Sequence, residues 1–283
     1  MVRIITDSTS DILPEEAEAL GVTVVPLKVV FKDRTYRDTV DLSHEDFYRL
    51  LKTADPLPTT SQPTPADFGA LFEEAKQAGD SVVCLLLAGS LSGTVQSAQI
   101  ARELCGYSEV YVVDTAQAII GIRMLVYLAL RMRSEGASAE QIAAAVEEAK
   151  GRVRLYAMVD TLEYLHKGGR LSKAVTVVGT FLKMKPIVTL REGKLEVLSK
   201  ARGLDGSIAA LLKLMGDAPR VDPACPVLYG YTLDAGQCSQ LRRVADEKYG
   251  FENTELYSVG CVIGTHVGPG AMVIGYLEAK EEQ

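Results

Sequence analysis

The sequence carries no excess of positive charge. Its 30 lysines and arginines face 37 aspartates and glutamates, so no cationic field exists to gather a phosphate backbone, and nucleic acid is not an expected partner. Paired cysteines are lacking too: Cys84, Cys105, Cys225, Cys238 and Cys261 are odd in number, scattered and without a C-x-x-C spacing. Such a set reads as reduced thiols, not a disulfide framework. No apolar stretch reaches the roughly 18 residues of a membrane span, even around residues 124–130. The start, MVRIITDST, runs straight into a strand pattern, without the charged, apolar and small-residue segments of a secretory signal. The expectation is a cytoplasmic protein with at most transient membrane contact.

Motifs for several common chemistries are also missing. There is no G-x-x-x-x-G-K-[ST], and the spacing of Gly264, Gly268 and Gly270 is not that of a dinucleotide loop, so no nucleotide cofactor is expected. No two of His44, His166 and His266 stand at ligand spacing and no H-E-x-x-H occurs, so no metal is expected. His44 and His166 read as surface or loop residues.

What is present is a chain of 283 residues with 47 % hydrophobic content, enough for one large or two ordinary domains around a sizeable core. The first third alternates β-branched runs with amphipathic stretches, the order that builds a parallel sheet covered by helices. Residues 2–6 open it as a strand. Pro14 sits in the first turn of a helix stopped by Gly21, and residues 22–31 form the next extended run. Ser43 with Asp46, Thr64 with Pro65 and Asp67, and Ser138 with Gln141 mark helix starts. Residues 82–87 and 110–113 are strands of buried, parallel type, with a helix between them from Gly93 to about Cys105. From about residue 155 the pattern changes: residues 155–159, 187–190 and 195–198 read as strands, the last two joined by a turn at residues 191–194 that implies an antiparallel hairpin. The expected fold is α/β, with a parallel-sheet domain over residues 1–154 and a mixed-sheet α/β domain over residues 155–283.

Ligands of open α/β sheets sit beyond the carboxyl ends of the strands. Three such ends run into short hydroxyls: Ser8, Thr9 and Ser10; then Ser90, Ser92 and Thr94; then Thr115 after Asp114. The Ser92, Gly93, Thr94 segment opens a helix, so its N–H groups and hydroxyls make an anion cradle, although an ordinary N-cap uses the same residues. Pro58 and Pro63 pin an extended hydroxyl-rich loop containing Thr60 and Ser61, and His266 lies among glycines that let backbone and ligand approach closely.

In order along the chain, Thr6 to Thr9, PTTSQP at residues 58–63, LSGT at 91–94, KGGRL at 167–171 and GTHVGPG at 264–270 make the sequence resemble the DegV family of bacterial fatty-acid-binding proteins over essentially its whole length. That resemblance implies a Rossmann-like N-terminal domain, a mixed-sheet C-terminal domain, and a long-chain fatty acid such as palmitate buried in a tunnel with its carboxyl group at the junction. It implies carboxyl contacts from Thr60 and Ser92, with Ser61, Gly93 and His266 nearby, and basic rim or partner positions at Arg170 and Arg202. Members it is similar to act in lipid transport as carriers without catalytic activity of their own, presenting the fatty acid to a separate fatty acid kinase that forms the acyl phosphate. One departure is Ala88-Gly89 before Ser90, where many relatives have a further serine, which removes an optional donor. The rival reading is a serine-type lipid esterase with Ser92 as nucleophile, His266 as base and Asp7 or Asp114 as orienter. Against it, Ser90 and Thr94 occupy the positions where a nucleophile elbow needs glycine. A third reading, a protein-interaction or regulatory module with a vestigial cleft, predicts an empty, small or polar cavity.

Overall fold

The computed structural model describes residues 1–32, 34–171 and 184–280. The elements run β1 (Val2–Asp7), α1 (Pro14–Leu20), β2 (Val22–Val25), β3 (Lys28–Phe31), β4 (Arg34–Arg37), α2 (His44–Leu51), β5 (Thr59–Ser61) and α3 (Pro65–Ala78). β6 (Ser81–Leu86), α4 (Thr94–Cys105), β7 (Val110–Asp114), α5 (Ile120–Ser134), α6 (Ala139–Ala149), β8 (Val153–Met158) and α7 (Glu163–Lys167) follow. The remainder is β9 (Lys185–Arg191), β10 (Lys194–Ala201), α8 (Gly203–Met215), β11 (Val227–Tyr231), α9 (Gly236–Tyr249), β12 (Thr254–Ser258), α10 (Cys261–Val267) and β13 (Met272–Leu277).

The first sheet is parallel, in the order β2-β1-β6-β7. Both faces are buried, as parallel sheets require: Ile4, Val83 and Leu85 enter one apolar cluster, while Ile5, Val82, Cys84 and Leu86 enter another. The helix starts lie where the capping residues point. Ser43 accepts from the Asp46 N–H, and reciprocal capping boxes join Thr64 to Asp67 and Ser138 to Gln141.

A six-stranded sheet takes the order β10-β9-β8-β13-β11-β12 and is antiparallel except between β11 and β12. The β9–β10 hairpin turns through Glu192 and Gly193, whose φ values of 49° and 75° match the twist of a tight hairpin.

A third, antiparallel sheet β4-β3-β5 divides what the sequence presents as one extended run. The break falls at Pro26, which has no N–H for the parallel ladder. Beyond it the Leu27 N–H donates to Ser8 Oγ at 3.1 Å and the Leu27 carbonyl accepts from the Asp38 N–H at 2.9 Å, which turns β3 out of the first sheet. Its partner β5 is the hydroxyl-rich segment, a paired strand rather than a free loop.

Helix α5 lies between the two larger sheets, touching β1 and β6 on one side and β8, β11 and β13 on the other. It is buried nearly all round, as a central helix must be, and Ile120, Met124, Leu125 and Ala129 join Ile4 and Leu85 to Val273 and Leu277 in one cluster. No described helix is long and apolar enough to cross a membrane.

The approach of α5 to β13 depends on Gly275. A Cβ there would lie 2.5 Å from Ile120 Cδ1 and 2.8 Å from the Arg154 carbonyl, and the carbonyl belongs to the neighbouring strand and cannot swing away. Gly275→Ala is expected to lower stability by about 1–3 kcal/mol through overpacking, read as a lower urea midpoint at unchanged slope. An unchanged midpoint would show that the helix is free to retreat.

Candidate functional site

The carboxyl end of β6, the strand β5, the start of α5, the strands β8 to β10 and the helices α7 and α10 enclose a cavity of about 320 Å³. Most of its wall is aliphatic, with Leu27, Leu87, Ile119, Leu155, Val188 and Leu195 representative. Its polar lining consists of Thr60, Ser61, Gln62, Ser92, Arg170, His266 and Thr189, and the Thr189 hydroxyl is occupied in a 2.7 Å hydrogen bond to the Leu155 carbonyl.

Of the other six, Thr60 and His266 pair with each other, while Gln62, Ser92 and Arg170 are tied to neighbouring groups. Pairing of Thr60 with Val29 across β5 and β3 holds the Thr60 hydroxyl 2.9 Å from His266 Nε2. The Gln62 amide donates to the Gly93 carbonyl at 3.1 Å and to Ser97 Oγ at 3.0 Å, tying β5 to the start of α4. Ser92 Oγ lies 2.9 Å from Thr94 Oγ1. Arg170 reaches back across the same end, its Nε donating to the Leu91 carbonyl at 3.2 Å and its Nη1 to the Gly168 carbonyl at 2.7 Å.

The KGGRL segment makes room for this. A Cβ on Gly168 would lie 2.3 Å from His266 Nδ1, so only glycine lets the imidazole pack against the backbone there. Gly169, with φ at 70°, then turns the chain so that Arg170 returns to the cavity. Thr60, Arg170 and His266 also line an outer cleft of about 460 Å³, which adds Lys167, Tyr164 and Thr265. The end of the cavity at Thr60, Arg170 and His266 therefore adjoins a partly basic vestibule.

His266 is 8 % exposed. Burial, with the nearby Arg170 charge second, pushes its pKa down to about 4, so the ring is neutral near pH 7. Its Nδ1 is buried without a hydrogen-bond partner among the described residues, a cost of about 1–3 kcal/mol and a reason to expect a ligand atom close by.

Of the residues singled out in the sequence, Thr60, Ser61, Ser92, Arg170 and His266 line the cavity. Gly93 does not line it, acting instead through its carbonyl and as the N-cap of α4. Arg202 lies outside, exposed at the N-cap of α8, with no side-chain hydrogen bond or ion pair among the described residues. Lys167 is exposed and paired with Glu163 at 2.6 Å. The hydroxyls after β1 do not reach the cavity: Thr9 Oγ1 and N–H both donate to Asp7 Oδ1, and Ser10 Oγ donates to the Asp7 carbonyl. Gln62, next to Ser61 in PTTSQP, carries no signal of its own in the sequence, and the aliphatic wall is assembled only by the crossing of distant strands.

A Ser–His–Asp relay is not assembled among the described residues. Ser92 and His266 are engaged by Thr94 and Thr60, respectively, and Asp7 and Asp114 accept from the backbone N–H groups of Leu87, Gly89 and Ala116.

The model of a family described as "Uncharacterised protein, DegV family" matches residues 1–279. A DegV domain-containing protein from Caldanaerobacter subterraneus subsp. tengcongensis is 34 % identical over 98 % of this chain and 99 % of its own length. Among solved structures, "Fatty Acid Binding of a DegV family Protein from Thermus thermophilus" superposes with a TM-score of 0.88 at 34 % identity, over 98 % of this chain and 99 % of the other. A stearic-acid-binding protein from Eubacterium ventriosum superposes with a TM-score of 0.85 at 25 % identity, over 98 % of each chain.

The depressed His266 pKa has a signed consequence for stability. An unfolded chain titrates this ring near its ordinary value of about 6.5, so between there and about 4 the unfolded state binds more protons and stability falls as pH drops. Relative to His266→Gln, the unliganded wild type is expected to lose about 3 kcal/mol between about pH 7 and about pH 4, measured by urea denaturation across that range. Parallel pH curves for the two proteins would show that the ring is solvated.

Proposed function

The chain belongs to the DegV family, and on that premise we propose that it binds one long-chain fatty acid in the 320 Å³ cavity and presents the carboxyl group to a separate kinase. The observation that carries this reading is the polarity of the cavity: a largely aliphatic wall, with Thr60, Arg170 and His266 at the end shared with the outer cleft. A fatty acid has the same asymmetry. The Thermus thermophilus and Eubacterium ventriosum structures, described as fatty-acid-binding and stearic-acid-binding, support the choice of ligand.

In this reading the tail supplies affinity. Each buried methylene contributes about 0.8 kcal/mol, so about fourteen of them gain about 11 kcal/mol before ordering costs. Hydrogen bonds from Thr60 and Ser92 add about 1–3 kcal/mol each and fix which end faces outward. His266 enters neutral, and Arg170 supplies the positive charge beside the carboxylate. The vestibule with Arg170 and Lys167 is the chemically apt surroundings for an acyl phosphate, whose added charge the bases would meet. No P-loop motif is present, so the nucleotide comes with the partner enzyme. Arg202, exposed and not part of the cavity lining, is assigned to the kinase-facing surface.

Protein purified from a bacterial host is expected to carry about one equivalent of long-chain fatty acid, seen by comparing native and denaturing mass spectra. No acyl species, together with no binding of added palmitate or oleate, would overturn the reading. Thr60→Ala with Ser92→Ala is expected to weaken retention modestly, yet to reduce kinase-dependent acyl phosphate formation more, because in-line transfer is sensitive to orientation. Equal losses in both assays would remove the orienting role. Arg202→Glu is expected to leave fatty acid binding intact and raise the apparent KM of the kinase for this carrier; unchanged turnover would return Arg202 to the solvated surface.

A further inference from the structure

A second group of chemistry-bearing side chains lies away from the cavity lining. A carboxylate oxygen of Asp38, a ring nitrogen of His44 and the Sγ of Cys261 all fall within 4.8 Å of one another. Asp38 and Cys261 are 1 % and 0 % exposed. Asp38 Oδ1 accepts from the Cys261 N–H at 3.2 Å, whereas Asp38 Oδ2 and His44 Nε2 are buried with no hydrogen-bond partner among the described residues. The Cys261 thiol lies against the Asp38 side chain, to which it hydrogen-bonds, and makes a long contact, 3.8 Å, to the Leu42 carbonyl. Asp11 is beside the group, its Oδ1 accepting from the Gly260 N–H at 3.0 Å and its Oδ2 also unpartnered.

Gly260 shows how tightly these groups converge. A Cβ built on it would lie 2.7 Å from Asp11 Oδ1, 3.3 Å from His44 Nε2 and 3.6 Å from Asp38 Oδ2. Leaving several buried polar atoms unpaired at one point is costly, and one cation would satisfy Asp38, His44 and Cys261 together. The geometry points to a binding site for a single divalent cation of the zinc class, held by Asp38, His44 and Cys261.

Ligand chemistry selects the class of ion. Magnesium and calcium take oxygen donors, while a thiolate, an imidazole and a carboxylate suit zinc or cobalt. Bond lengths of about 2.0–2.3 Å put neighbouring ligand atoms about 3.3–3.8 Å apart, a small closure from the spacing observed. On binding, the Cys261 thiol loses its proton to solvent and its sulfur electron pair forms the metal bond. The Ser258 backbone hydrogen-bonds the His44 ring, the kind of outer contact that orients a metal-binding imidazole. A solvent cleft of about 900 Å³ lined by Thr39, His44, Tyr48 and Ser258 gives a path of entry. Three protein ligands leave a fourth position for water or for Asp11.

The test is titration of the full chain with zinc sulfate by calorimetry, alongside cobalt chloride followed by absorption. One equivalent of zinc and a thiolate-to-cobalt charge-transfer band in the near ultraviolet are expected, unaffected by millimolar magnesium. His44→Gln and Cys261→Ser are expected to weaken zinc binding by more than about 100-fold and Asp11→Asn by about 10-fold, with Cys225→Ser as the retained control. Circular dichroism establishes that each variant is folded, and the wild-type cobalt spectrum needs no variant at all. No stoichiometric uptake by the wild type, uptake without a thiolate band, displacement by magnesium, or unchanged zinc affinity in folded His44→Gln and Cys261→Ser would each overturn the proposal.

Discussion

The placement of α10 against the first part of the chain is the constraint on which the site depends. Two buried carboxylates hold its start: Asp11 accepts from the Gly260 N–H and Asp38 from the Cys261 N–H, across 249 and 223 residues of sequence. Tyr48 adds a 2.9 Å hydrogen bond to the Val259 carbonyl. Amide groups at a helix start have no intrahelical partner, and buried ones need one, so these acids satisfy donors that would otherwise be stranded. The arrangement is expensive for the acids. Burial raises the pKa of both, and Asp38 further raises that of Asp11. Its return is positional, since α10 carries His266 and packs on β3 and β5, which carries Thr60.

With α10 fixed, the cavity follows from how the sheets meet. Much of the aliphatic wall comes from β8, β9, β10 and the start of α5, and Thr60, Arg170 and His266 come from β5, the segment after α7 and α10, which also adds Val262, Ile263 and Val267 to the wall. In the proposed complex the apolar wall would set affinity by burying area, and the hydrogen-bonding groups would set direction.

The legibility of this in the sequence depended on range. Strands β1, β6 and β7 and the helices capped by Thr64 and Ser138 announce themselves through neighbours a few residues away, and the structure has them there. Pro26 marks the break in the run, but nothing nearby shows that β3 pairs with β4 and with the distant β5. The resemblance implies carboxyl contacts from Thr60, Ser61, Ser92, Gly93 and His266 and rim or partner positions at Arg170 and Arg202; Thr60, Ser61, Ser92, His266 and Arg170 line one cavity, and Gly93 and Arg202 lie outside its lining. His44 read as a surface residue since its helix is polar, yet its Nε2 is buried beside Asp38. No spacing rule joins Asp38 to Cys261, because their proximity is created by the seating of α10.

That seating also explains why the histidine at the polar end is neutral. A charged imidazole in this position would have to be desolvated next to an aliphatic wall and close to Arg170, and both influences push the His266 pKa down. A permanently charged pair at the mouth would hold a carboxylate strongly but would also bury an uncompensated charge whenever the acid left. With one cation and one neutral ring, the polar end meets a carboxylate without depending on it. In the proposed fatty-acid complex a carboxylate beside His266 would favour the imidazolium, so the ring's pKa would rise on loading and fall on release, with the Arg170 charge, which lowers it, limiting the rise.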